Sequence, residues 1–244
     1  MDTRNDTILI TGGGSGIGKA MAEALHARGA KVIIAGRRQS ALDAVAAANP
    51  GMATAVLDVE NPADITAFAA RVIADHPDLN VVINNAGIMV AEREIDLPVA
   101  EQIIAINLLG TIRLTAALLP HLKTKASATV VTVSSGLAFV PLAMTPTYNA
   151  TKAAIHSWSQ SLRHQLKDTP VRVIEWAPPA VATDLMPGHA ENPNSMPLAD
   201  FTAESLALFE AGHDEIMVER VKFLSEAEKR GDYAQVFQIL NGRH

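Results

Sequence analysis

The sequence has 244 residues, 48% of them apolar and 19% charged, with a formal net charge of −6. That balance excludes a disordered chain, and its sign argues against a general nucleic-acid binder, which would present a basic face. With no cysteine there is no disulfide and no thiolate metal site, and the eight histidines fall in no ligand spacing, so no metal site is read.

Strand-like and helix-like segments alternate from the start. A polar opening, M-D-T-R-N-D-T, runs directly into the first strand and leaves no room for a secretory signal. Thr7–Thr11 (T-I-L-I-T) is a short apolar run ended by glycines, and residues 18–28 have helical periodicity closed by Gly29. Residues 31–35 read as a strand, 41–48 as a helix and 53–58 as a third strand. Residues 62–74 form a helix with proline in its first turn, and Val81–Asn84 a fourth strand. A long, largely apolar helix is expected over 98–122, then a β-branched strand over 129–134. The helix after Tyr148 leads to a sixth strand, Val171–Trp176. Residues 178–197, rich in proline, glycine and asparagine, break this rhythm and read as a long mobile loop. Beyond it come a helix over 201–211, a short segment open to a seventh strand at 215–218, and two short helices.

Apolar strands separated by helices call for right-handed crossovers and a parallel, doubly wound sheet. The expected fold is therefore α/β, a single Rossmann-type domain of about seven strands with helices on both faces. No apolar run approaches the ~18 residues of a membrane span. No membrane association is expected, and a cytoplasmic location fits.

T-G-G-G-S-G-I-G occupies residues 11–18, between the first strand and the first helix. Glycines let the backbone approach a phosphate, while the helix N-terminus offers unpaired N–H groups and a positive dipole end. The spacing, Gly12 then Gly16 then Gly18, is not G-x-G-x-x-G. Its place after an N-terminal strand favours a dinucleotide over a triphosphate. The second strand ends A-G-R-R, so Arg37 and Arg38 stand where an NAD site commonly carries an acid. Guanidinium groups suit a 2′-phosphate, which points to NADP.

Further on, Tyr148 precedes Lys152 by four residues in Y-N-A-T-K. That spacing shares one helix face, and a nearby ammonium is expected to favour the phenolate and lower the tyrosine pKa from its usual ~10.

Together these pieces resemble the short-chain dehydrogenase/reductase family across most of the chain, through T-G-G-G-S-G-I-G, N-N-A-G at 84–87, Asn107 in I-A-I-N-L, Ser135 in V-S-S-G and Y-N-A-T-K. Ser135 lies thirteen residues before Tyr148, the spacing that favours it over Ser134. The run P-P-A-V-x-T-D-L, with Pro179 in place of the family's glycine, is similar to the branch of DltE-like oxidoreductases. The resemblance implies NADP(H)-dependent interconversion of a ketone or aldehyde with its alcohol. Tyr148 would be the acid/base, Ser135 the carbonyl partner, Lys152 the ribose-holding cation, and Asn107 the support of a relay water.

It further implies cofactor contacts from Gly12, Gly14, Ser15, Gly16, Ile17 and Gly18 in the turn, and from Asp58 and Val59 after the third strand. Asn85, Ala86 and Gly87 would line the channel, and Pro178, Val181 and Thr183 would close it. Phe139, Val140, Pro141, Met144 and Met186 are candidates for an apolar substrate wall. A homodimer or homotetramer through the two long helices is the implied assembly. Two other readings compete: a sugar-nucleotide epimerase or dehydratase, against which stands the short C-terminal part, and a dinucleotide-sensing protein, which would need no proton relay.

Overall fold

The computed structural model describes residues 5–242, so the first four residues of the polar opening lie outside the described residues. From the N-terminal side the elements are β1 (Thr7–Thr11), α1 (Gly16–Ala27), β2 (Lys31–Gly36), α2 (Gln39–Ala48), β3 (Ala53–Val56), α3 (Pro62–Asp75) and β4 (Val81–Asn84). Then come α4 (Leu97–Ile104), a π-helical turn (Ala105–Gly110), α5 (Thr111–Leu122), β5 (Ala128–Val133), α6 (Pro146–Gln165) and β6 (Val171–Trp176). The chain closes with α7 (Leu198–Glu210), β7 (Glu215–Ile216), α8 (Glu219–Ser225), α9 (Ala227–Arg230) and α10 (Tyr233–Asn241).

The strands form one seven-stranded sheet in the order β3-β2-β1-β4-β5-β6-β7, and every pairing is parallel. Successive side chains of a strand face opposite sides, and both sides are covered. Ile8 and Ile10 pack with Met21 and Leu25 of α1 and with Phe201 and Phe209 of α7. Leu9 packs on the other face with Phe68 of α3, Leu114 and Leu118 of α5, and Leu162 of α6. Each such fully buried side chain contributes about 1.5–3 kcal/mol. Covering both faces is why most of the strands are largely apolar instead of alternating. The order reverses between β1 and β4, and the crevice at their C-terminal ends is where a doubly wound sheet binds its ligands.

Several boundaries depart from the sequence expectation by a few residues, and three of them bear on the site or the sheet edge. The first helix begins at Gly16, two residues early, because the glycine turn itself starts the helix. β3 ends at Val56, since the N–H of Asp58 donates to the Asp64 carboxylate at 2.7 Å instead of to a ladder. The seventh strand is only Glu215–Ile216, paired with Glu175 and Trp176.

The helical run Leu97–Leu122 spans 26 residues and is, by length and composition, apolar enough to cross a membrane. Scattered polar residues hide this in a scan for an unbroken apolar run. In the fold the α5 part of the run packs on the sheet, where Leu114, Leu118 and Leu122 are fully buried, and Ile103 of α4 is buried as well.

Candidate active site

The site is built at the strand reversal. The Thr11 hydroxyl accepts hydrogen bonds from the backbone N–H groups of Asn85 and Ala86, both at 3.0 Å. Asn85 Nδ2 donates to the Thr11 carbonyl at 2.9 Å. One threonine, not among the residues singled out from the sequence, thus couples the ends of β1 and β4.

The turn that follows has φ of +69° at Gly12 and +52° at Gly16, a conformation that favours glycine. It is tightly folded, for a Cβ on Gly18 would lie 2.4 Å from the Gly12 carbonyl oxygen. Over Gly16 the space is open: a Cβ there would meet only Thr183, at 3.6 Å. Ser15 precedes α1 without a side-chain capping bond, so the first-turn N–H groups remain available to an anion. Arg37 and Arg38 stand exposed at the same rim. This cradle fits a dinucleotide with its phosphates on the helix N-terminus.

Two adjoining hollows share the turn. One, of ≈ 470 Å³, is lined by Gly14, Asp58, Val59 and the arginines. The other, of ≈ 670 Å³, carries Gly12, Ser15, Gly16, Ile17 and Gly18 at one end and Ser135, Tyr148 and Lys152 at the other. Asn85, Ala86 and Gly87 form one side, and Pro178, Val181 and Thr183 the opposite side. Every residue expected to contact cofactor lines one hollow or the other. Asp58 also closes its own turn, accepting from Glu60 N–H at 3.1 Å.

Tyr148 and Lys152 occupy successive turns of α6, both buried. The Lys152 ammonium lies 5.5 Å from the tyrosine ring centroid and donates to the Val133 carbonyl at 2.8 Å. Ser135 hydrogen-bonds with the Tyr148 side chain, and its Oγ also accepts from Leu137 N–H at 3.1 Å. The tyrosine pKa moves opposite to the sequence expectation. Burial pushes the phenol up to about 12, with the Ser135 hydrogen bond only partly opposing it. Burial also pulls Lys152 down to about 8. Desolvation outweighs the ammonium because that group sits at the ring and is bonded elsewhere. The site thus holds a neutral phenol, the form a proton donor needs.

Asn107 lies within the π-helical turn and does not line the cleft. Its Oδ1 accepts from Ile88 N–H and its Nδ2 donates to the Ile88 carbonyl, both at 2.8 Å. Between it and the lysine sits Gly87, whose added Cβ would be 3.2 Å from Asn107 Oδ1 and 3.8 Å from Lys152 Nζ. The side chain therefore braces the strand end that borders the site. A wide helical turn often marks such a functional position.

Behind the cleft is a polar cluster that the sequence did not signal. Glu175 on β6 is fully buried; its Oε1 accepts from the Ser134 hydroxyl at 2.5 Å, and its Oε2 pairs with His156 Nδ1 at 2.7 Å. The hydrogen bond and charge of Glu175 raise the His156 pKa, with burial and Arg163 opposing and Glu215 assisting. A raised folded-state pKa gives stabilisation that is complete below the unfolded value of ~6.5 and lost as pH rises through the folded value. The melting temperature of His156→Gln should therefore fall furthest below wild type at mildly acidic pH, with the gap narrowing at alkaline pH. Melting scans across that range check it; a gap independent of pH would remove the ionic pair from the account.

The expected apolar wall is misplaced. Val140 is fully buried against Ala227 and Val236, Phe139 packs its ring on His156 at 4.8 Å, and Pro141, Met144 and Met186 do not line the cleft. The wall beyond Ser135 is made instead by Val90, Leu137, Leu142, Leu185, Leu224 and Leu240. The segment expected as a long loop is drawn together at its base: Val181 pairs with Met196, Ala182 N–H donates to the Met196 carbonyl at 2.9 Å, and Met196 N–H donates to the Ala180 carbonyl at 2.8 Å.

Comparison with known proteins bears on the fold and the family. The short chain dehydrogenase family profile matches residues 6–194. The uncharacterized oxidoreductase DltE of Bacillus subtilis (strain 168) is 39% identical over 252 aligned positions, covering 99% of this chain and 98% of that protein. A short chain dehydrogenase from Burkholderia cenocepacia J2315, solved in complex with NADP, superposes with a TM-score of 0.85 at 26% identity over 97% of this chain and 99% of that one. A short chain dehydrogenase/reductase from Burkholderia phymatum, solved with NAD, shares the fold at a TM-score of 0.82 and 20% identity, over 95% and 96% of the two chains.

Proposed function

We propose that this chain, which belongs to the short-chain dehydrogenase family, interconverts a ketone or aldehyde and the corresponding alcohol with NADP(H). One observation carries the reading: Ser135, Tyr148 and Lys152 converge at one end of the cleft whose other end is the glycine turn. When bound, the nicotinamide supplies the hydride for reduction or takes it in the reverse direction. The chain's own residues orient the carbonyl and manage one proton. Ser135 holds the carbonyl oxygen by a hydrogen bond, and Tyr148 donates its phenolic proton to that oxygen as negative charge develops. Lys152, anchored on Val133, keeps its remaining ammonium protons for the ribose and stabilises the phenolate left behind. Asn107 fixes the Ile88 backbone beside Gly87, and its place in the widened helical turn supports the role of holding a relay water behind Lys152.

The preference for NADP over NAD rests on Arg37 and Arg38 and on the lack of an acid at the end of β2. Assembly into a homodimer or homotetramer through the long helices belongs to the same reading, supported by Leu97 and Ile104 exposed on α4. The test is a coupled observation on pure protein: NADPH absorbance should fall only when a ketone or aldehyde is added. An absence of consumption across a broad panel of both would sink the assignment.

A further inference from the structure

The far end of the cleft is assembled from segments remote in sequence, and two of its residues come from the C-terminal helices. Leu224 of α8 and Leu240 of α10 face the cleft together with Leu137 and Leu142 from the stretch after β5. Their position is fixed by packing. Val140, Ala227 and Val236 form a small buried cluster, with Leu224 and Leu240 packed on its border. Asn241 then clamps the same stretch, for its Oδ1 accepts from Ala143 N–H at 2.6 Å and its Nδ2 donates to the Pro141 carbonyl at 3.1 Å. Gly136 allows the approach of α8, since a Cβ there would be 3.0 Å from Leu224 Cδ1. The C-terminal helices are thus a fixed wall of the chamber.

Charge is distributed unevenly along the cleft. Its lining cations are Arg37 and Arg38 at the opposite end and Lys152, which is already bonded to the Val133 carbonyl. Among the described residues, the other titratable groups of the lining besides Tyr148 are Asp184 and His189. Burial lowers the His189 pKa, so the ring is neutral at neutral pH. Among the described residues, a substrate carboxylate or phosphate would find no cation at the carbonyl end besides Lys152, whose remaining ammonium protons are assigned to the ribose, and it would share the lining with one carboxylate. An apolar chain would find six apolar side chains.

We infer that the substrate is an uncharged carbonyl compound bearing an extended apolar group, whose length is gauged by Leu224 and Leu240. This rests on the carbonyl reductase reading above. The experiment compares linear methyl ketones of increasing length with matched keto acids carrying a carboxylate at the far end. In wild type, kcat/KM should rise about three- to fourfold per methylene until the chamber is full. The keto acid should be at least about tenfold poorer than the ketone of equal length. Leu240→Ala should move the optimum to a longer ketone, and Leu240→Arg should favour the keto acid relative to its ketone. A flat length series, or a keto acid used as well as its ketone, overturns the proposal, and wild type alone decides this if the variants do not fold. Should no carbonyl be reduced, calorimetric titration of the same ketone and keto acid into NADP+-saturated protein separates the two readings. Tighter ketone binding upholds the substrate class and places the failure on the redox assignment; equal or tighter keto acid binding overturns the substrate class itself.

Discussion

Replacing Tyr148 with Phe should reduce turnover by at least ~10²-fold, the usual cost of removing a positioned acid, while NADPH affinity stays close to that of wild type. The ring is buried against Lys152, and phenylalanine keeps that packing. What disappears is the hydroxyl bonded with Ser135, the group assigned to the carbonyl oxygen. Burial holds that hydroxyl protonated until about 12, so its acid form is present throughout the working range. Steady-state rates and a cofactor titration on the same preparation check both halves. Near-wild-type turnover in the variant would remove Tyr148 from the proton transfer and leave Lys152 and Ser135 without a shared purpose.

The second large effect concerns cofactor choice. Arg37 lines both hollows beside the end of β2, where it can meet a 2′-phosphate. A charge-assisted hydrogen bond there should contribute about 1.5–3 kcal/mol, or roughly ten- to a hundredfold in affinity. NADPH should therefore bind more tightly than NADH, and the gap should narrow as salt screens an exposed guanidinium. The double variant Gly36→Asp with Arg37→Leu should reverse the order. The aspartate has room, because a Cβ on Gly36 meets only Leu42 Cδ2 at 3.6 Å. It adds an acceptor for the 2′-hydroxyl and repels the phosphate. Paired titrations of each protein at fixed ionic strength measure the effect. Equal affinity of the unmodified protein for NADH and NADPH would make the arginines ordinary surface charge.

Much of this was legible from local pattern. Thr7–Thr11, Val81–Asn84 and Val171–Trp176 are readable with their observed bounds, because strands buried on both faces are mostly apolar, with Arg172 and Glu175 the charged exceptions. The glycine turn and the Tyr148–Lys152 pair are equally visible, since their geometry is set by a few consecutive residues. Other features depend on which distant segments meet. Asn241 and Ala143 are bonded across 98 residues, one of several long-range contacts that hold the C-terminal helices at the cleft. Composition marks Leu240 as apolar but cannot say which wall it forms. Glu175 is a single acid within an apolar strand, and only the fold shows that Ser134 and His156 surround it. The tyrosine pKa departs for a related reason: spacing along a helix reports the neighbouring charge, whereas burial is a property of the assembled sheet and loops.

The closed base of the segment after β6 has an evolutionary consequence. Because Val181 and Met196 meet, the residues between them form a side loop whose ends are already joined. Lengthening or shortening such a loop changes its closure entropy only by about 0.6 kcal/mol per doubling. Insertions, deletions and substitutions around Asp184, Leu185 and His189 can therefore accumulate while the strand end that carries Pro178 and Val181 keeps its place beside the cleft. Descendants of one ancestor can diverge in what they bind without relearning how to fold, and this closed neck is where a laboratory library aimed at new substrates should be grafted.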